Sequence, residues 1–303
     1  LHPLTGLGLI KEEGGRWFFD QDGDGWVEAV TEFYEWYLAA EAKDPEARWR
    51  FAPPEEAAAG LYAFAEFFGM GGLSRAVWVK GQVAGPVSIG LNLLDQEGKP
   101  SYYDRRLREM VNKCLAQGIS WQVEFLGRLG RRVVIFVDDP GVGAWGTSTY
   151  VGLDRRSIIE DLRELVAQVK QSGGMAGAHS CAGVDWSVFL AAGFEILSFD
   201  AYGYFKSLLP YVRELKEFLS EGGVLAWGIV PTSAAAAEES PSSLARLWWE
   251  EVEELVRRGL AREALLRQSM ITPSCGAGIL DPKLARRVYE LTSATAEEII
   301  SRL

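Results

Sequence analysis

Two short stretches of this chain hold side chains whose types and spacing suit metal chemistry. In Ala178-His179-Ser180-Cys181 an imidazole and a thiol stand two residues apart behind an apolar run, and in Ile271-Thr272-Pro273-Ser274-Cys275-Gly276 a second thiol ends a second apolar run. Two thiols and one imidazole are preferred ligands of a zinc ion that keeps its fourth position open for chemistry, whereas structural zinc is usually closed by four ligands. The expectation is a zinc-thiolate enzyme with His179, Cys181 and Cys275 as ligands. The only other histidine is His2, so any reaction that needs imidazole falls on His179.

Composition narrows the alternatives. With 303 residues, 48% of them apolar, the chain can fill a substantial core. A formal charge of -11 argues against a nucleic-acid partner, which needs clustered Lys and Arg to neutralise phosphates. Neither an apolar run long enough to span a membrane nor a basic-then-apolar leader is seen, so no membrane association is expected and the cytoplasm is the expected compartment. Three cysteines, an odd number, suit reduced thiols. Cys114 lies in a helical stretch with Met110, Val111 and Leu115 and reads as core.

The elements that must position these residues follow a repeating rhythm. Residues 1–75 read as an N-terminal segment with helices over 30–42 and 54–68, and with a hairpin whose strands, Arg16-Trp17-Phe18-Phe19 and Trp26-Val27, flank a turn at Asp20 to Gly25. From residue 76 onward, strand, loop and helix alternate. Apolar strands lead to Lys80-Gly81-Gln82, to Val137-Asp138-Asp139-Pro140, to His179, to Phe199-Asp200, to Pro231-Thr232-Ser233 and to Cys275. Six such units predict a parallel sheet covered by helices, and at this length an α/β fold of the (β/α)8 TIM-barrel type, as a single domain over 1–303. Six strands leave that barrel two short, so its first strand is expected to lie outside this sequence. Lys80, Gln82, Asp138, His179, Cys181, Asp200, Thr232 and Cys275 all fall at or just past strand ends, the face on which barrel enzymes build their sites.

Taken together, the segments Lys80 to Pro86, Val137 to Pro140, His179-Ser180-Cys181, Leu197-Ser198-Phe199-Asp200 and Pro273 to Gly276 resemble the catalytic domain of cobalamin-independent methionine synthase and its shorter relatives. That family belongs to the superfamily of uroporphyrinogen decarboxylase and the methylcobamide:thiol methyltransferases. The resemblance covers roughly residues 60–303. It implies zinc held by His179, Cys181 and Cys275, with Asp200 at the position where the full-length synthases carry glutamate as a further ligand. It implies that Asp138 meets the amino group of homocysteine. Lys80, Gln82 and Ser274 are expected to contact substrate, and Asp139 or Tyr202 to serve as an acid.

Two departures from the family stand out, the second of which bears on the methyl donor. The Gly-Ser-x-Pro segment that precedes the first barrel strand in the family is not visible. The histidine that the folate-dependent synthases place after the strand matching Val224 to Ile229 is replaced by Pro231-Thr232-Ser233. Methyl-tetrahydrofolate expels a nitrogen anion and needs an acid to protonate it, whereas a methylated corrinoid expels cobalt(I), which needs none. The expectation is methyl transfer from a methylcorrinoid, carried by a partner protein, to a small-molecule thiol, homocysteine, giving methionine. Methyl-tetrahydrofolate as donor and a thiol like coenzyme M as acceptor are the alternatives. A tetrapyrrole decarboxylase would need arginines to hold several carboxylates and no zinc. A non-catalytic zinc-binding protein would place its ligands closer together.

Overall fold

Six parallel strands alternate with helices along the chain, an α/β fold of TIM-barrel-like class, in this computed structural model. It describes residues 1–72 and 75–303 and divides into two compact units, Leu1–Ala176 and Gly177–Leu303. All six predicted strands form. The two further strands of a complete (β/α)8 barrel are not among the described residues.

The first unit opens with the short helix α1 (His2–Gly6), strands β1 (Ile10–Glu13) and β2 (Arg16–Phe19), and helices α2 (Trp26–Glu41), α3 (Pro45–Trp49) and α4 (Glu55–Gly69). The hairpin differs from the expected one: β2 pairs with β1 rather than with Trp26-Val27. Gly14 and Gly15 supply the turn with φ of 59° and 82°, the positive values that a two-residue hairpin loop demands. Trp26 and Val27 instead begin α2.

Strand β3 (Trp78–Ala84) follows, then α5 (Pro86–Asn92), α6 (Arg105–Gly127), β4 (Arg132–Asp138) and α7 (Arg155–Gln171). Caps explain where the long helices start. Asp104 accepts from the amides of Arg106 and Leu107 at the head of α6, and Asp154 accepts from Ser157 at the head of α7. Strands β3 and β4 pair in parallel from Trp78↔Arg132 to Ala84↔Asp138. Val133 to Val137 are all buried, as expected of a parallel strand covered on both faces. Along β3 the even positions Lys80, Gln82 and Ala84 are exposed, and Val79 and Gly81 are buried.

In this parallel pairing the odd-numbered peptides of β3 bond to β4, as Gly85 N–H does to the Asp138 carbonyl at 2.8 Å. The peptide of Gln82 therefore faces the opposite edge. There the side chain of Gln122, buried in α6, answers both of its groups. Gln82 N–H donates to Gln122 Oε1 at 3.1 Å, and Gln122 Nε2 donates to the Gln82 carbonyl at 3.0 Å.

The second unit begins at Gly177, within β5 (Met175–Ser180), and continues through α8 (Trp186–Ala192), β6 (Ile196–Phe199), α9 (Ala201–Tyr204), α10 (Val212–Ser220), β7 (Val224–Val230), α11 (Pro241–Arg257), α12 (Arg262–Arg267), β8 (Ser269–Pro273) and α13 (Pro282–Ile300). Its strands pair in chain order from Gly177↔Ile196 through Phe199↔Trp227 to Val230↔Pro273. Between Gly228 and Val230 the register slips by one residue, a bulge of the kind that bends a strand end. Trp227 is fully buried, with its ring 5.2 Å from Phe199 and 5.9 Å from Trp248, and its indole N–H reaches Ser269 Oγ at 2.8 Å. Ser240 and Ser243 form a capping box at the start of α11, with Pro241 in the first turn.

Candidate metal centre

Alternation along β5 puts residues two apart on the same face, so His179 and Cys181 project together. The loop after β8 brings Cys275 to them. One ligand atom from each of the three lies within 4.8 Å of the others. His179 and Cys181 are half-buried and Cys275 is exposed. The donor chemistry fits zinc: two sulfurs and an imidazole nitrogen, borderline-soft ligands held at the end of the strands where a small molecule can reach them.

Two local devices set this geometry. Strand register places His179 opposite Ser198 on β6, and His179 Nδ1 and Ser198 Oγ are 3.0 Å apart. A histidine held at one ring nitrogen has its orientation fixed for ligation through the other. Ser198 is buried, and its role depends on register, which spacing alone does not reveal. Cys275 is positioned through Ser274. The Ser274 amide donates to the Val230 carbonyl at 2.8 Å, and its hydroxyl meets the Thr232 amide and hydroxyl, both at 3.2 Å. This loop passes so close to β7 that a Cβ on Gly228 would stand 2.6 Å from the Phe199 carbonyl oxygen and 2.8 Å from Ser274 Cα. Ser274, expected to touch substrate, is buried and ties the β7 and β8 loops together.

Burial pushes the Cys181 thiol above its ordinary pKa, and Cys275 adds to the shift through its charge and through a hydrogen bond between the two sulfurs. Two adjacent thiols without a cation favour their neutral forms, and a bound divalent ion reverses that preference.

Asp200, expected as a further ligand, stands outside the three-residue group. Its carboxylate caps α9 by accepting the Gly203 amide at 2.7 Å, and burial raises its pKa. It stands near enough to the cluster for its charge to add to the upward shift of the Cys181 thiol. Tyr202, on α9, donates its hydroxyl to Glu239 Oε1 at 3.0 Å. A carboxyl group absent from the sequence expectations lies nearby in electrostatic terms. Glu251 on α11 is buried, its Oε2 has no hydrogen-bond partner, and burial, then the charges of Asp200 and Glu250, push its pKa up to about 9. An available signal was its place on the buried stripe Leu244, Trp248, Glu251, Leu255 of α11, where an acid breaks an apolar pattern.

The other expected site residues belong to the first unit. Lys80 Nζ donates to Gln82 Oε1 at 2.5 Å and lies 5.1 Å from the centre of the Phe136 ring. Asp138 is half-buried, and desolvation raises its pKa to about 6 against the pull of Lys80. Asp139 is completely buried. Its carboxylate accepts the Val87 amide at 3.0 Å, the Ser88 amide at 2.7 Å and the Ser88 hydroxyl at 2.6 Å. These amides belong to the first turn of α5, so Asp139 supplies the cap that Gly85 lacks; it is a positioning residue, with no surface from which to protonate a substrate. The first unit also holds an apolar cavity of about 780 Å³ beside β3, lined by Phe51, Val83, Ala84, Ile89, Leu115 and Gly118 among others. None of the expected site residues lines it.

No family model matches the chain, and no curated protein matches it. Among solved structures, the chain is similar to a candidate fructose-1,6-biphosphate aldolase from Coccidioides immitis, at 16% identity over 80% of this chain and 84% of that one, with a TM-score of 0.33. A likeness at that score carries no argument about activity.

Proposed function

We propose that His179, Cys181 and Cys275 hold a catalytic zinc ion, and that the protein is a methionine synthase-like S-methyltransferase acting on a small thiol, with homocysteine as acceptor and a methylated corrinoid as donor. The observation that carries this reading is the convergence of one imidazole and two thiols, from segments far apart in sequence, at an accessible strand end. When bound, zinc would supply a Lewis acid that lowers the pKa of an incoming thiol and keeps it as a thiolate at neutral pH.

The side chains of the second unit have distinct parts in this reading. Cys181 and Cys275 would hold the ion as thiolates, their protons passing to solvent, and two anionic sulfurs there would keep the acceptor sulfur electron-rich. Ser198 fixes the plane of the His179 imidazole. Exposure of Cys275 keeps the site open to a large methyl donor, and the buried Ser274 and Thr232 contacts hold the loop that carries it.

The donor follows from proton inventory. After β7 the chain offers Pro231-Thr232-Ser233, with no imidazole to protonate a departing folate nitrogen. In the transfer proposed, the acceptor sulfur forms a bond to the methyl carbon, the cobalt–carbon bond breaks, and its electron pair stays on cobalt(I). No proton is needed at the leaving group.

The test is to incubate zinc-loaded protein with methylcobalamin and homocysteine while following the corrinoid spectrum and methionine. Demethylation with stoichiometric methionine is expected, and methyl-tetrahydrofolate in a parallel reaction decides between donors. Stoichiometric zinc binding with neither donor consumed would overturn the reading.

A further inference from the structure

The pair Cys181 and Cys275 has a chemistry of its own. Their sulfurs lie within 4.8 Å of each other. A disulfide requires about 2.05 Å between sulfurs, so the two side chains would have to turn toward each other to close the gap. Cys181 is the first residue after β5 and Cys275 the second after β8, both outside regular structure. Cys275 is exposed, while Cys181 is half-buried behind it. The third cysteine, Cys114, is buried in α6 of the first unit, where desolvation pushes its thiol up to about 11 and denies it reactivity.

We propose that Cys181 and Cys275 are an oxidative modification site, in which hydrogen peroxide converts the two thiols into a reversible disulfide and thereby removes two donors from the metal cluster at once. In the first step the Cys275 sulfur attacks a peroxide oxygen, the O–O bond breaks and one water departs, leaving a sulfenic acid. In the second, the Cys181 sulfur attacks Cys275, its proton leaves with the hydroxyl as a second water, and the S–S bond forms. Two electrons and two protons pass from the thiols to one peroxide. A dithiol reductant returns both and restores the pair.

The effect on metal retention rests on the zinc reading above; formation of the bond in metal-free protein does not. Metal-free protein treated with hydrogen peroxide is expected to lose about 2 Da, with peptide mapping showing Cys181 joined to Cys275 and Cys114 still open to alkylation. Zinc-loaded protein is expected to react at least about tenfold more slowly, releasing zinc to a chromogenic indicator in step with the mass change. Cys114→Ser is expected to behave like the parent, and Cys181→Ser to stop at an oxidised Cys275. A sulfinic acid on Cys275 beside an intact Cys181 thiol, or a link that involves Cys114, would overturn the proposal. Loss of 2 Da in a protein that takes up no zinc would sink the metal reading alone, and zinc uptake with an unchanged mass after peroxide would sink this one alone.

Discussion

Glu251 shows how one carboxyl tunes the second unit. Its folded pKa of about 9 lies far above the ordinary 4.5, so between those values the folded chain keeps a proton that the unfolded chain has released. That contribution to stability is complete below about pH 4.5 and is lost as pH rises toward 9, by at most about 1.4 kcal/mol per pH unit. Glu251→Gln keeps the volume and removes the ionisation, so its melting temperature is expected to exceed that of the parent at pH 8 and the difference to shrink toward pH 5. A parallel fall of both curves would exclude this carboxyl as the cause. The ligands make a second prediction at this scale. Metal analysis is expected to find zinc lost from Cys275→Ser and His179→Ala, while Ser198→Ala retains it with affinity about tenfold weaker. Zinc held equally by all of them would place the ion elsewhere. That His179, Cys181 and Cys275 would lie together was legible because imidazole and thiol are scarce in this chain and each falls near a strand end. Ser198 was not, because only strand register pairs it with His179.

The elements carry the next level of information. Asp139 reads in sequence as an acid at a strand end, indistinguishable from Asp138 beside it; only the fold turns it inward onto α5, where three donors converge on it. Asp139→Ala leaves those donors without an acceptor and is expected to cost about 3 kcal/mol, read from the shift of the urea midpoint. Loss of activity without loss of stability would instead return Asp139 to chemistry. Gly228 is a positioning device of a different kind, since its missing side chain is what lets the Ser274-Cys275 loop lie against β7. Gly228→Ala is expected to fold but to bind zinc at least about tenfold more weakly, because Cys275 is carried off its place. The hairpin was misassigned for a related reason: Asp20 to Gly25 has the composition of a turn, yet the positive backbone angles at Gly14-Gly15 close the loop, and the later residues lead into α2.

Across the whole molecule, β4, β6 and β7 were legible as continuous apolar runs, whereas β3 differs from its expected bounds: it runs on to Ala84, so Lys80 and Gln82 lie within the strand on its exposed face and not past its end. What sequence patterning could not convey is how the chain manages the outer rim of β3. A side-chain carboxamide has the same donor and acceptor as a peptide group, and Gln122 uses both on Gln82. One glutamine thus impersonates a neighbouring strand for the length of a single residue. A foreign segment pairing with β3 at Gln82 would first have to displace that carboxamide, and the expected consequence is less sticking between molecules. Gln122→Ala is expected to leave the monomer folded but to raise light scattering with protein concentration. Scattering unchanged from the parent would mean that the rim needs no guard.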